Sequence, residues 1–253
     1  MIKKLRNILK GGNGNEMPIG LGVGELPNKI YHGKQPIKSS DFKQIINNIF
    51  LPQIQSLGFT GKDFYFFRHN EDYTEVIYPW TYKTGGAIQV DLLVKINKIS
   101  YPDDKEAIKP GNIKPENAEF QWRLSPNEGK NKNGQHVWYW IFEKEYSDNL
   151  KIAEDIWRLF SIKGVEYFNR FKNHQLYISQ ITIDNYLDFP DFFIQRFFGR
   201  HEAGIIYFLF DYWRQFQDEK RAAVFAKLGL TKLNNEEHHQ YLTVFKNYLG
   251  KAS

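Results

Sequence analysis

Six polar side chains recur at alternate positions of two stretches that read as strands: Gln89, Asp91, Lys95 and Asn97 in one, Gln121 and Arg123 in the other. An Asp, an Arg and a Lys on one wet sheet face could orient a polar substrate, provided helices wall that face into a groove. An exposed sheet with cross-strand charge pairs uses the same residues and is the simpler expectation. Other catalytic patterns are missing. No Ser stands in a G-x-S-x-G turn. There is no H-E-x-x-H, and Gly61-Lys62 lacks phosphate-loop spacing, with Asp63 where a magnesium-binding hydroxyl belongs.

Two His-containing patterns suggest metal or acid–base chemistry. Glu236-Glu237-His238-His239 puts Glu236 and His239 three apart, on one face if the stretch is helical. A di-metal bundle needs two such motifs and further Glu residues, and no second copy exists, so no metal is expected. Arg200-His201-Glu202 pairs an imidazole with a carboxylate, but an acidic residue at a helix start suits the positive end of the helix dipole, and capping is the cheaper explanation. Gly20, Gly22 and Gly24 alternate like a phosphate loop, yet no apolar strand precedes them and Pro27 interrupts any following helix. No cofactor is expected.

A second candidate surface is apolar. Phe189, Phe192, Phe193, Phe197 and Phe198 crowd into ten residues, more rings than one helix stripe buries. They read as core between two halves of the chain or as an interaction patch.

The elements that must position these groups can be read from periodicity. Ser40 should cap a helix carrying Phe42, Ile45, Ile46, Ile49 and Phe50 on one stripe, bent or interrupted at Pro52 and stopped at Gly58. An aromatic strand follows over Phe64–Arg68, then a turn at His69–Asp72. A second strand, Tyr73–Tyr82, carries Pro79, which suggests an edge or bulge. The third, Ala87–Ile99, alternates Ile88, Val90, Leu92, Val94 and Ile96 with polar residues, which predicts one dry and one wet face. A charged loop over 101–118 leads to a strand with Phe120, Trp122 and Leu124, and a polar loop to one with Trp138, Trp140 and Phe142. Short connections imply antiparallel pairing. From Ser147 the period is helical: Leu150, Ala153, Ile156, Trp157 and Phe160 form a stripe that Gly164 breaks. Further helices are expected near 183–198, 202–217, 219–228 (ended by Gly229) and 234–249. The fold class is therefore α+β, with an antiparallel sheet of about five strands, helices packed on one face and a mainly helical C-terminal part.

A helix ending Leu57-Gly58-Phe59, an aromatic strand ending Phe67-Arg68, two alternating strands, Trp122-x-Leu124 and a strand with Trp138 and Trp140 before a helix occur in a fixed order. This order resembles the bacterial family catalogued as domain of unknown function 4304, over roughly residues 41–172. Tyr78-Pro79-Trp80-Thr81 departs from the Gln-Lys-Ser-type motif expected there in the second strand. The family implies no activity and assigns no residue a role.

Composition narrows the classes. The 253 residues are 42% hydrophobic and 25% charged, enough for a packed core. With no Cys, disulfides, thiolate zinc sites and Cys nucleophiles are excluded, and a reducing compartment is suited. No membrane span or signal-peptide apolar segment is read, so the expected location is the cytoplasm. Residues 1–40 hold seven basic side chains against Glu16 and Glu25 and so carry the whole net charge of +5. The remainder balances. The chain divides into a basic Gly-rich arm (1–40), a sheet domain (41–174) and a helical subdomain (175–253). A bacterial immunity-type or accessory module that binds a protein partner is the leading expectation. Nucleic-acid binding through the basic arm, with wet aromatics such as Tyr65 and Tyr139, and a hydrolase on the polar sheet face are the alternatives.

Overall fold

The computed structural model describes residues 37–81, 86–104, 107–126, 139–143, 145–188, 201–234 and 236–251. It confirms the α+β architecture. Helix α1 (Ser39–Ser56) precedes strands β1 (Thr60–Lys62), β2 (Tyr65–His69), β3 (Tyr73–Thr81), β4 (Ala87–Ile96), β5 (Phe120–Leu124) and β6 (Trp140–Ile141). The strands pair antiparallel in the order β1-β2-β3-β4-β5, and β6 pairs with β4 beside Ala87 and Ile88.

Helix α1 starts one residue before Ser40, whose hydroxyl bonds Asp41, so Ser40 is not its cap. Pro52 does not break it either. Gly58 does end it, at φ +82°: its N–H bonds Gln55 O and the Phe59 N–H bonds Ile54 O, the paired closure of a Schellman motif. Phe64, expected in β2, instead forms the two-residue turn with Asp63 that joins β1 and β2; both have positive φ. Its ring is wholly buried against Phe50 and Phe66, which holds a bulky residue in a conformation it rarely adopts. Pro79 lies beyond Ile77, the last β3 residue paired with β2, so it sits on a locally open edge where its missing N–H is tolerated.

One face of the sheet (Phe66, Ile77, Val90, Leu92, Val94, Phe120) packs on α1 and on a helical run from α2 (Tyr146–Leu159) through a π-helical segment (Phe160–Gly164) and α3 (Val165–Asn169) to α4 (His174–Ile178). Gly164 does not break this run. A Cβ there would stand 2.5 Å from the Phe160 ring and 3.2 Å from Leu92, so the absent side chain lets helix and sheet approach. After α5 (Ile183–Asp188) come α6 (Glu202–Gln215), α7 (Glu219–Lys232) and α8 (His239–Lys251). Helix α6 is buried from Ala203 to Trp213, as a central helix must be when apolar all round. The expected boundary at residue 174 is crossed by one continuous core: Phe120 of β5 meets Phe208 of α6 at 5.7 Å between centroids.

Gly229 does not end α7, which continues to Lys232. A Cβ on it would stand 2.2 Å from the buried Phe245 ring of α8. Gly229→Ala gains about 1 kcal/mol of helix propensity but overpacks this crossing at about 1–3 kcal/mol. The expected result is a lower denaturation midpoint; an unchanged or raised midpoint shows the close approach to be unnecessary.

Candidate functional site

The polar sheet face is not wet. Gln89, Asp91, Lys95 and Gln121 are buried, while Asn97 and Arg123 are half-buried. The strict alternation in β4 hid Leu93, which points to this same face. With Val76 it receives Ile113 and Ala118 from the 101–118 segment. That segment is no free loop: its turns Pro110–Asn112 and Pro115–Asn117 fold across the face, where the Tyr65 hydroxyl donates to Ile113 O at 2.8 Å. Burial keeps that phenol protonated well beyond its ordinary range.

Asp91, Arg123, Gln121, Lys95 and Asn97 are committed to partners in and beside the sheet. Asp91 and Arg123 are direct cross-strand partners, with Arg123 Nε and Nη2 donating to the two carboxylate oxygens at 2.6 and 3.1 Å. Burial raises the Asp91 pKa above the usual carboxylate value; Arg123 and a hydrogen bond to Gln121 oppose the rise. Lys95 reaches Glu119 at 3.5 Å. Glu119, missed by the sequence reading, also accepts from the Ile96 N–H at 2.6 Å and the Tyr101 hydroxyl at 3.0 Å. It serves a ladder N–H beyond Val94, the last β4 residue paired with β5. Asn97 donates to Asn70 O and accepts from Thr74 Oγ1, both at 2.7 Å, and so ties the β2–β3 turn to β4.

On the helix-facing side stands a further ion pair, its carboxylate buried, that the sequence reading missed. Glu75, fully buried, accepts from Arg68 Nε. Arg68 also donates to Leu57 O at the end of α1 and lies over the Phe59 ring. Burial pushes the Glu75 carboxyl up, and Arg68 only partly offsets this.

Neither His pattern forms the site its spacing suggested. Helix α8 begins at His239, so Glu236 does not share a helix face with it. His201 caps α6 with its own ring, Nδ1 accepting from the Gly204 N–H at 3.2 Å, and Asp103 stands 3.9 Å from its Nε2. Among the described residues no group of three or more His, Asp or Glu is placed to hold a metal ion, and no helix is long and apolar enough to cross a membrane. The Phe189, Phe192, Phe193, Phe197 and Phe198 patch lies outside the described residues, as does the arm up to residue 36.

A concave surface among the described residues is an open groove of about 480 Å³ between α6 and α8, lined by Phe210, Arg214, Val244, Asn247, Tyr248 and Lys251. Phe210 meets Tyr248 edge-on at 5.1 Å and Phe245 at 5.2 Å, so the floor is a row of interlocked rings. Arg214 is held by the buried Asp211 at its base, which orients the guanidinium beside the groove. Sequence periodicity placed these residues on two helices but gave no sign that their faces stay apart at this end.

No family model, no curated protein and no solved structure matches the chain.

Proposed function

We propose that the chain is a cytoplasmic protein-binding module, of immunity or accessory type, that takes an acidic amphipathic segment of its partner into the groove between α6 and α8. The observation that carries this reading is the lining: an apolar floor of Phe210, Val244 and Tyr248 beside Lys251 and the guanidinium of Arg214, which the buried Asp211 holds from below, with no carboxylate among the six lining residues. A helix laid in such a groove buries apolar residues at i, i+3, i+4 and i+7, while its acidic flank meets the cations. The volume lies within the range that specific sites use. Kinship with the domain of unknown function 4304 family belongs to the same proposal and adds no activity to it.

The test is a display library of amphipathic peptides of about 15 residues, long enough for a helix to form on binding. Acidic members should be selected over basic ones, and their affinity should fall with added salt. Asn247→Glu, on the exposed face of α8, should weaken selected peptides about tenfold, or about 1.4 kcal/mol. Selection of no acidic peptide, or binding indifferent to Asn247→Glu and Lys251→Glu, overturns the reading. Selection of basic peptides would point to a different surface.

A further inference from the structure

His174 stands where the sheet meets the C-terminal helices. It opens α4, and its side chain is buried. Its ring is edge-on to Tyr73 of β3, with centroids 6.1 Å apart, and to Tyr212 of α6, at 5.9 Å. Phe216, just past α6, closes the third side at 5.9 Å. Nδ1 lies 3.0 Å from the Tyr212 hydroxyl. The seam is thus a box of aromatic rings around one imidazole, with a single polar link.

We propose that His174 is a pH-sensitive latch: neutral, it seals the aromatic seam between the sheet and α6; protonated, it releases α6 and with it the helices that form the groove. The hydroxyl link alone does not resist protonation, because Tyr212 can donate to a neutral Nδ1 or accept from a protonated one. What protonation costs is hydration, since an imidazolium in the closed box loses water that rings replace poorly. The charged groups facing it act in opposite directions. Asp72, in the β2–β3 turn, favours the cation, whereas Lys98, beyond β4, disfavours it, and the two pair with each other at 3.1 Å. Tyr73 on β3 and Tyr212 on α6 have raised pKa values and stay neutral throughout.

Burial, as the largest cause, holds the closed-state pKa of His174 below its ordinary value. The seam is therefore fully stabilised above about pH 6.5, where an exposed His is neutral. Below that it loosens until the closed state also titrates, and the opening ratio rises by up to about tenfold per pH unit. Glu75, Asp91 and Asp211 have raised pKa values and work in the opposite sense, favouring the folded chain on acidification, so none imitates the loss.

Hydrogen exchange of the full chain, corrected for the intrinsic pH dependence of exchange, tests the latch. Between about pH 6.5 and 5.5, opening of α4 and α6 should rise several-fold in the wild type. It should not rise in His174→Gln, which keeps a polar partner for Tyr212 but cannot titrate. His201→Asn removes another imidazole near α6, the one at its N-terminus, and should leave the wild-type response in place. An unchanged response in His174→Gln overturns the latch, as does its loss in His201→Asn or a flat wild type. Should His174→Gln fail to fold, NMR titration of the wild-type His174 ring decides. A depressed pKa that tracks α6 amide shifts supports the latch, and an ordinary pKa with α6 unmoved overturns it.

Discussion

Arg68→Met is expected to destabilise the protein by about 3 kcal/mol near pH 7, because it leaves Glu75 ionised, buried and without its cation; this is the lower end for buried pairs, since part of the Arg68 side chain reaches solvent. The geometry makes Arg68 hard to replace: one guanidinium serves the Glu75 carboxylate, the Leu57 carbonyl at the end of α1 and the face of Phe59. The Glu75 carboxyl is already held above its usual pKa by burial. Removing Arg68 raises it further. A carboxyl with a raised folded-state pKa stabilises the fold below its unfolded pKa, and that contribution is lost as pH rises through the folded value. The cost of Arg68→Met should therefore shrink on going from about pH 7 to pH 5, as Glu75 becomes free to take a proton. The double variant Arg68→Met/Glu75→Leu should recover most of the stability, since a packed apolar pair often replaces a buried ion pair at no net cost. Urea midpoints at constant slope across pH check all three statements. A pH-independent loss in Arg68→Met contradicts the assignment.

The sheet and the main helices were legible because their apolar residues repeat at 2 and 3.6, and burial of one face follows from that repeat. The alternation of Ile88, Val90, Leu92, Val94 and Ile96 located the face on which α1 and α2 pack. What the repeat does not encode is the far side of a strand. Whether Asp91 and Lys95 are wet depends on whether the chain returns to cover them. The 101–118 segment reads as a loop because its charges and prolines suit one; only Ile108, Ile113 and Ala118, isolated apolar residues among them, hint at docking.

Glycine misled for a related reason. Gly58, Gly164 and Gly229 look alike in sequence, yet only Gly58 has the positive φ of a helix stop. Gly164 and Gly229 are helical and are small because Phe160 and Phe245 occupy the space of a side chain. Close approach between elements far apart in sequence leaves no local signature. The groove was hidden by the same logic: Val244 and Tyr248 sit on the apolar stripe of α8, and the stripe does not say which of its residues find a partner on α6.

Arg123→Met carries the second large effect, and it decides between the structural and ligand-binding roles of the polar sheet face. Asp91 is as buried as a core hydrophobe, and Arg123 is its cationic partner, bonding both carboxylate oxygens beside a further hydrogen bond from Gln121. Truncating the cation strands the carboxylate, at about 3 kcal/mol. This is the lower end for buried pairs, because part of the Arg123 side chain reaches solvent. Asp91→Leu/Arg123→Met removes both charges and should restore most of that stability while leaving peptide binding in the groove untouched. If the pair instead existed to hold a polar ligand, the sheet would tolerate its loss, and the single substitution would cost under about 1 kcal/mol, as for an exposed pair. A denaturation midpoint for each of the three chains separates the two outcomes, because an ion pair that supports the sheet must be costly to halve and cheap to delete whole.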